Sequence, residues 1–235
     1  MLVWVDWTKY ESGYYYGAPG ALSMIGWDGS SYGMYQFDYQ YGLVPFMQFC
    51  QDHNQLLYEG FTPYINMGAG SQQLVGNNSL HNWFIRYANE YTEDFLYCQD
   101  GAYVDQYLTP AITIASNHNL ANLNNPYMLG TLGSMAIRSG AYEQSLFGEA
   151  VRAMAQYTNL EDQLRAGYTV YENYYAPRGD DRWYRQLADC LSDMANGEWV
   201  VDIYGEAPTP PIPIYWGRKR LLFNPWYITR RRRII

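Results

Sequence analysis

Two acids near the start of the chain have the side chains and the spacing that cleavage of a glycosidic bond requires. Glu11 ends an aromatic N-terminal segment, and seventeen residues later Asp28 opens the turn Asp28-Gly29-Ser30-Ser31 of an expected β-hairpin. In such a reaction one carboxylic acid protonates the leaving oxygen. A second carboxylate activates water or stabilises an oxocarbenium-like transition state. Asp38 follows closely and rivals Asp28 for the second role.

Little else in the chain suggests chemistry. His53, His81 and His118 are isolated, with no HExxH pattern and no Ser/His/Asp grouping. The glycine-rich stretch at residues 66–78 has no lysine and no GK[ST], which argues against a phosphate cradle. Cys50, Cys98 and Cys190 are odd in number, far apart and without CxxC spacing. That pattern predicts inert buried thiols and neither a disulfide framework nor a zinc site. No metal, nucleotide or hydride chemistry is indicated, so no cofactor is expected.

The elements that must position these acids are mostly helical. A short helix over residues 2–13 is expected to stop near Gly13 and Gly17. Residues 21–27 and 32–37 are β-prone runs around an Asp-Gly turn, a hairpin signal. Helical patterns follow over residues 43–58, 79–97, 102–117, 127–139, 141–156, 160–175 and 180–196. Pro110 should kink or restart the fourth segment, Asn159 or Thr158 should cap the seventh, and Gly140 and Gly197 should end two of them. The fold class predicted is α+β, mostly helical, with one small hairpin near the N-terminus. Residues 1–206 form the body, and residues 207–235 form a proline-rich linker with a basic, aromatic tail.

Charge is segregated along the chain. Residues 1–217 hold eight of the 15 basic residues against all 23 acidic ones, a formal −15, and residues 218–235 carry seven cations and no acid. An acidic body excludes a typical nucleic-acid binder and favours neutral or cationic substrates. The tail interleaves Trp216, Trp226 and Tyr227 with its cations, as in segments that contact anionic walls or membrane surfaces. Docking of the tail on the acidic body is the other option. The 26 tyrosines suit stacking on sugar rings as well as ordinary packing. No signal peptide and no membrane span is legible, so export is expected to depend on release or on delivery within a particle.

The block Ser31-Tyr32-Gly33-Met34-Tyr35-Gln36-Phe37 resembles the Gly-x-x-Gln motif of the lysozyme-like superfamily. Glu11-Ser12 is similar to the Glu-Ser pair that opens soluble lytic transglycosylase and goose-type lysozyme domains. The likeness extends to chitosanase-like lysozyme domains of bacteria and phages, including those at the C-terminus of some type VI secretion spike proteins. Phe95, Gln99, Tyr107, Pro110 and Ala111 resemble a later motif of that group, residues 129–140 a small-residue helix, and Leu164, Tyr171 and Arg178 the last motif. The resemblance spans roughly residues 5–195 and is specific over 11–37.

The resemblance implies a lysozyme-like domain with Glu11 as general acid, kept protonated by burial among Trp4, Trp7 and Tyr10. It implies Asp28 as base, with Ser31, Tyr32, Gln36 and Asp38 toward substrate. The expected substrate is bacterial peptidoglycan, cut at β-1,4 linkages by a phage lysin or tail-associated lysozyme. Chitosan is the second substrate. The hydroxyl residue that chitosanases keep beyond the aspartate falls at Gly33, leaving Ser30 or Ser31 as substitutes. That departure keeps open a transglycosylase route needing only Glu11. A non-catalytic glycan-binding or particle protein is the competing class.

Overall fold

The computed structural model describes residues 1–203, so the linker and basic tail expected at 207–235 lie outside the described residues. The N-terminal segment is not one helix. Leu2–Trp4 form strand β1, paired antiparallel with β4 (Val200–Asp202) in the register Leu2↔Asp202, Val3↔Val201 and Trp4↔Val200. A β-branched residue and an aromatic prefer extended backbone when a partner strand is at hand, and the partner here lies almost the whole body away in sequence. A 3-10 turn at Asp6–Thr8 leads into α1 (Lys9–Ser12). Gly13 ends α1 as expected, with φ at 77°, a left-handed conformation that suits glycine.

The hairpin is shorter than the sequence predicts. Pro19 starts a helical turn, α2 (Pro19–Leu22), which takes Ala21 and Leu22 out of the first strand. Ile25 still bridges Tyr32, and β2 (Ser31–Tyr32) pairs with β3 (Phe37–Asp38). Two adjacent buried residues of a later helix hold this unit in place. Gln99 accepts from the Met34 backbone N–H at 2.8 Å and donates to the Leu22 carbonyl at 3.0 Å. Asp100 accepts from the Tyr35 hydroxyl at 2.7 Å and from Tyr16.

Helices then form two groups. The first contains α3 (Leu43–His53), α4 (Thr62–Ile65), α5 (Asn78–Glu90) and α6 (Thr92–Tyr103), with α3, α5 and α2 packed on α6. The chain continues from α6 through a π-helical turn, Val104–Leu108, into α7 (Thr109–Asn117). Pro110 accounts for the widened turn. It has no N–H for the carbonyl four residues back, and its ring needs the room. The second group contains α8 (Pro126–Ser139), α9 (Leu146–Met154), α10 (Leu160–Tyr175) and α11 (Arg182–Asn196). Caps fall where turn chemistry put them. Asn125 accepts from Tyr127 and Met128 backbone N–H groups, Asn159 accepts from Asp162, and Gly140 and Gly197 follow α8 and α11 at positive φ.

Helix α8 is buried along most of its length because its small residues let other backbone approach. A side chain on Gly130 would overlap the Trp4 carbonyl, and one on Gly133 the Tyr103 hydroxyl. Strand β1 therefore lies directly on α8, and the rod from α6 to α7 crosses close by. These contacts fix where α1, the carrier of Glu11, leaves the core.

Candidate active site

Glu11 sits near the end of α1 with its side chain only 9% exposed. The three aromatic residues expected around it each have partners of their own. Trp4 is buried and donates its indole N–H to Asp193 at 2.9 Å, Trp7 packs in the core beside Tyr35 and Tyr103, and the Tyr10 hydroxyl donates to Asp189 at 2.7 Å. What faces Glu11 is Arg182, the first residue of α11, whose Nη1 lies 3.1 Å from Oε1. Arg182 also reaches the Tyr10 carbonyl at 3.3 Å and lies over the Trp183 ring at 4.6 Å. Lys9 adds a second tie between α1 and α11 through Asp189 at 2.6 Å. Ser12 shapes the helix end, donating to the Thr8 carbonyl at 3.2 Å and accepting from Tyr14 N–H.

A cleft of about 550 Å³ opens between the two helix groups. Asp38, Gln40 and Tyr41 line it from the hairpin side, Arg138, Ser139 and Tyr142 from the end of α8, and Tyr107 from the π turn of the rod between them. Its size is that of an ordinary ligand site. Glu11 is not part of this lining and is linked to it in two ways. Arg182 and the cleft residue Arg138 converge on Asp180, at 4.0 and 3.7 Å. The Tyr107 hydroxyl is pushed well above its ordinary pKa by burial first, then by the charges of Asp38, Tyr142 and Glu11.

The other expected residues divide. Asp38 is in the cleft lining, its Oδ1 accepting from the Gln40 and Tyr41 backbone N–H groups at 2.8 and 2.9 Å. Asp28 stands on an exposed turn, where its Oδ1 accepts from the Ser30 hydroxyl at 2.6 Å and the Ser30 N–H at 3.0 Å. Those bonds favour the ionised form and lower its pKa. Ser31 and Gln36 are engaged with each other at 2.7 Å, and Gln36 also donates to the Gly33 carbonyl at 2.7 Å. Gln36 has φ of 51°, so its side chain stabilises a left-handed turn of the hairpin. Tyr32 is buried and its hydroxyl reaches the Leu74 carbonyl at 3.3 Å. Ser31, Tyr32 and Gln36 thus build the hairpin, and Asp38 reaches the cleft.

Sequence reasoning missed Arg182, Arg138 and Trp27. Trp27 precedes Asp28 and is 98% exposed, an unusual place for a residue that size. A tryptophan beside a turn acid was a readable signal. Arg182 carried none, since it meets Glu11 only after α11 has returned to the N-terminus.

No protein-family model matches the sequence, and no curated protein sequence matches it. Among solved structures, one described as "Chitosanase complex structure" matches with a TM-score of 0.55 and 15% identity, over 75% of this chain and 77% of that chain. The two share a fold. It is the lysozyme-like α+β architecture, mostly helical, here with two small two-stranded sheets.

Proposed function

We propose that the chain is a glycoside hydrolase of the lysozyme type that cuts β-1,4 linkages of bacterial peptidoglycan, with Glu11 as general acid. The observation that carries the reading is a glutamate almost removed from water, ion-paired to Arg182 and linked to an aromatic cleft in a lysozyme-like fold. Glu11 takes a proton from solvent as sugar enters the cleft and delivers it to the glycosidic oxygen, and the carboxylate that remains returns to its pair with Arg182. Asp28, held ionised by Ser30, serves as base toward water. Asp38 binds sugar hydroxyls from the cleft wall, and Trp27 offers a ring for stacking. A phage lysin or tail-associated lysozyme is the setting that fits the resemblance over residues 11–37.

The charge in the cleft lining gives chitosan no advantage. Its lining holds one acid, Asp38, and one cation, Arg138, whereas a polycation would be drawn to an acid-rich groove. Chitosan is the second reading, favoured by the acidic body and by the chitosanase with the shared fold.

The test is loss of turbidity in a cell-wall suspension, run beside loss of viscosity in a chitosan solution. Wild type should clear walls, and Glu11→Gln, assayed below its own melting temperature, should fall by roughly 10²–10⁴-fold. Clearance of chitosan alone moves the assignment to the second reading. No activity on either polymer leaves a non-catalytic glycan binder. Asp28→Asn should lower kcat and Asp38→Asn should raise KM. Unaltered turnover in Asp28→Asn transfers the base role to Asp38. An anhydro sugar among the products would mark the transglycosylase route.

A further inference from the structure

Three groups that look unrelated in the sequence meet on the far side of α3 and α6. His53 Nε2, an Asp94 carboxylate oxygen and Cys98 Sγ all lie within 4.8 Å of one another. Helix α3 supplies His53 and α6 supplies Asp94 and Cys98, and these two helices pack face to face. Asp94 and Cys98 are four residues apart on one helix and so lie on the same face. Cys50 stands three residues before His53 on the same face of α3, a buried thiol outside the three-group cluster. Read across the helix pair, the pattern is Cys-x-x-His facing Asp-x-x-x-Cys.

The supporting groups are those of a prepared site. Asp94 Oδ1 is 2.8 Å from His53 Nε2, and its other oxygen accepts from the Tyr58 hydroxyl at 2.7 Å. The Tyr97 ring lies 4.7 Å from the His53 imidazole and restricts its rotation. Outer partners of this kind orient ligands before a metal arrives. Cys50 and Cys98 are fully buried, while His53 and Asp94 are 15% and 30% exposed, so the cluster has a dry sulfur end and an open entrance.

We propose that His53, Asp94 and Cys98 bind a zinc-class divalent cation that clamps α3 to α6. One thiolate, one imidazole and one carboxylate, with water as the fourth donor, form a borderline-soft set, which suits tetrahedral zinc and disfavours calcium or magnesium. Tetrahedral donors about 2.0–2.3 Å from zinc stand roughly 3.5 Å apart, so the cluster needs only to tighten. On binding, the His53–Asp94 hydrogen bond gives way to the cation, and the Cys98 thiol releases its proton to solvent. The site is independent of glycan cleavage and its test does not use that activity.

The full chain is purified reduced, loaded with zinc sulfate, desalted and assayed for metal by elemental analysis. A parallel sample takes cobalt(II) chloride and is followed by absorption. The expected result is about one equivalent of zinc per chain, a cobalt spectrum with a thiolate charge-transfer band, and a melting temperature that rises with free zinc. Cys98→Ala should lose the cobalt band, and Tyr58→Phe should weaken zinc roughly 10–100-fold. If Cys98→Ala does not fold, the wild-type cobalt spectrum decides alone. Substoichiometric zinc with fully reduced thiols overturns the proposal. So does zinc that Cys98→Ala retains, a cobalt spectrum without the thiolate band, or a Cys50–Cys98 disulfide in the native protein.

Discussion

A carboxylate as enclosed as Glu11 and the guanidinium 3.1 Å away have to be treated as a unit. Removing one partner strands the other in a poorly solvated place, which generally costs more than removing both. Arg182→Met should therefore destabilise the fold by about 3–5 kcal/mol. The double variant Glu11→Gln with Arg182→Met should recover part of that loss, and urea unfolding of the four proteins in the cycle measures it. A double variant whose loss equals the sum of the two single losses would mean that the pair carries no coupling. Trp27 behaves oppositely. Being almost fully exposed, it contributes little to stability, so Trp27→Ala should leave the melting temperature unchanged and raise KM on cell walls. A fall in kcat with constant KM would remove it from the substrate surface.

At the scale of elements, the close packing on α8 is the most sensitive arrangement. Gly133→Ala drives a methyl into the Tyr103 hydroxyl at the place where the rod crosses α8, and should cost about 1–3 kcal/mol, read from the urea midpoint. Most helix ends were legible in the sequence because their signals are local, although the break at Tyr91 and the run of α6 through Gly101 depart from the expected 79–97 and 102–117. Asn125, Asn159, Gly140 and Gly197 mark ends by chemistry that acts within four residues. Gln99, matched only by resemblance, proves to clamp the hairpin to α6. Strand β1 was read as helix because its partner lies some 200 residues on. Arg182 was invisible for the same reason, as was the meeting of His53 with Asp94 and Cys98. Spacing rules see one helix at a time, and these constellations need two.

For the whole molecule, buried acids set the response to pH. Burial raises Asp100 from an ordinary value near 3.8 to about 7, opposed by the hydroxyls of Tyr16 and Tyr35. Burial also raises Asp193 to about 6, opposed by the Trp4 indole. Folding therefore takes up protons between about pH 4 and pH 7. The stability linked to these groups is full below the unfolded value and is lost as pH rises through the folded one. Asp189 runs the other way. Its partners Lys9 and Tyr10 outweigh burial and lower its pKa, so its contribution is lost only as pH falls through the acid range. The melting temperature should decline from pH 5 to pH 7.5, with a total effect of a few kcal/mol at most. Asp100→Asn should flatten that decline, and a wild-type melting temperature that climbs over the same range would contradict the account.

The pairing of β1 with β4 also sets an order of events during synthesis. Closing a chain of about 200 residues costs about 5 kcal/mol in loop entropy, so the first strand is left waiting until the last has emerged from the ribosome. Helix α1 follows β1 directly, and Arg182, which α1 needs for Glu11, also arrives late. A nascent chain halted at residue 150 would hold the hairpin and the first helix group with Glu11 still unplaced. On this topology the proposed acid is the last part of the molecule to be put in position, and a cell making the protein carries no finished site until the body has been fully translated.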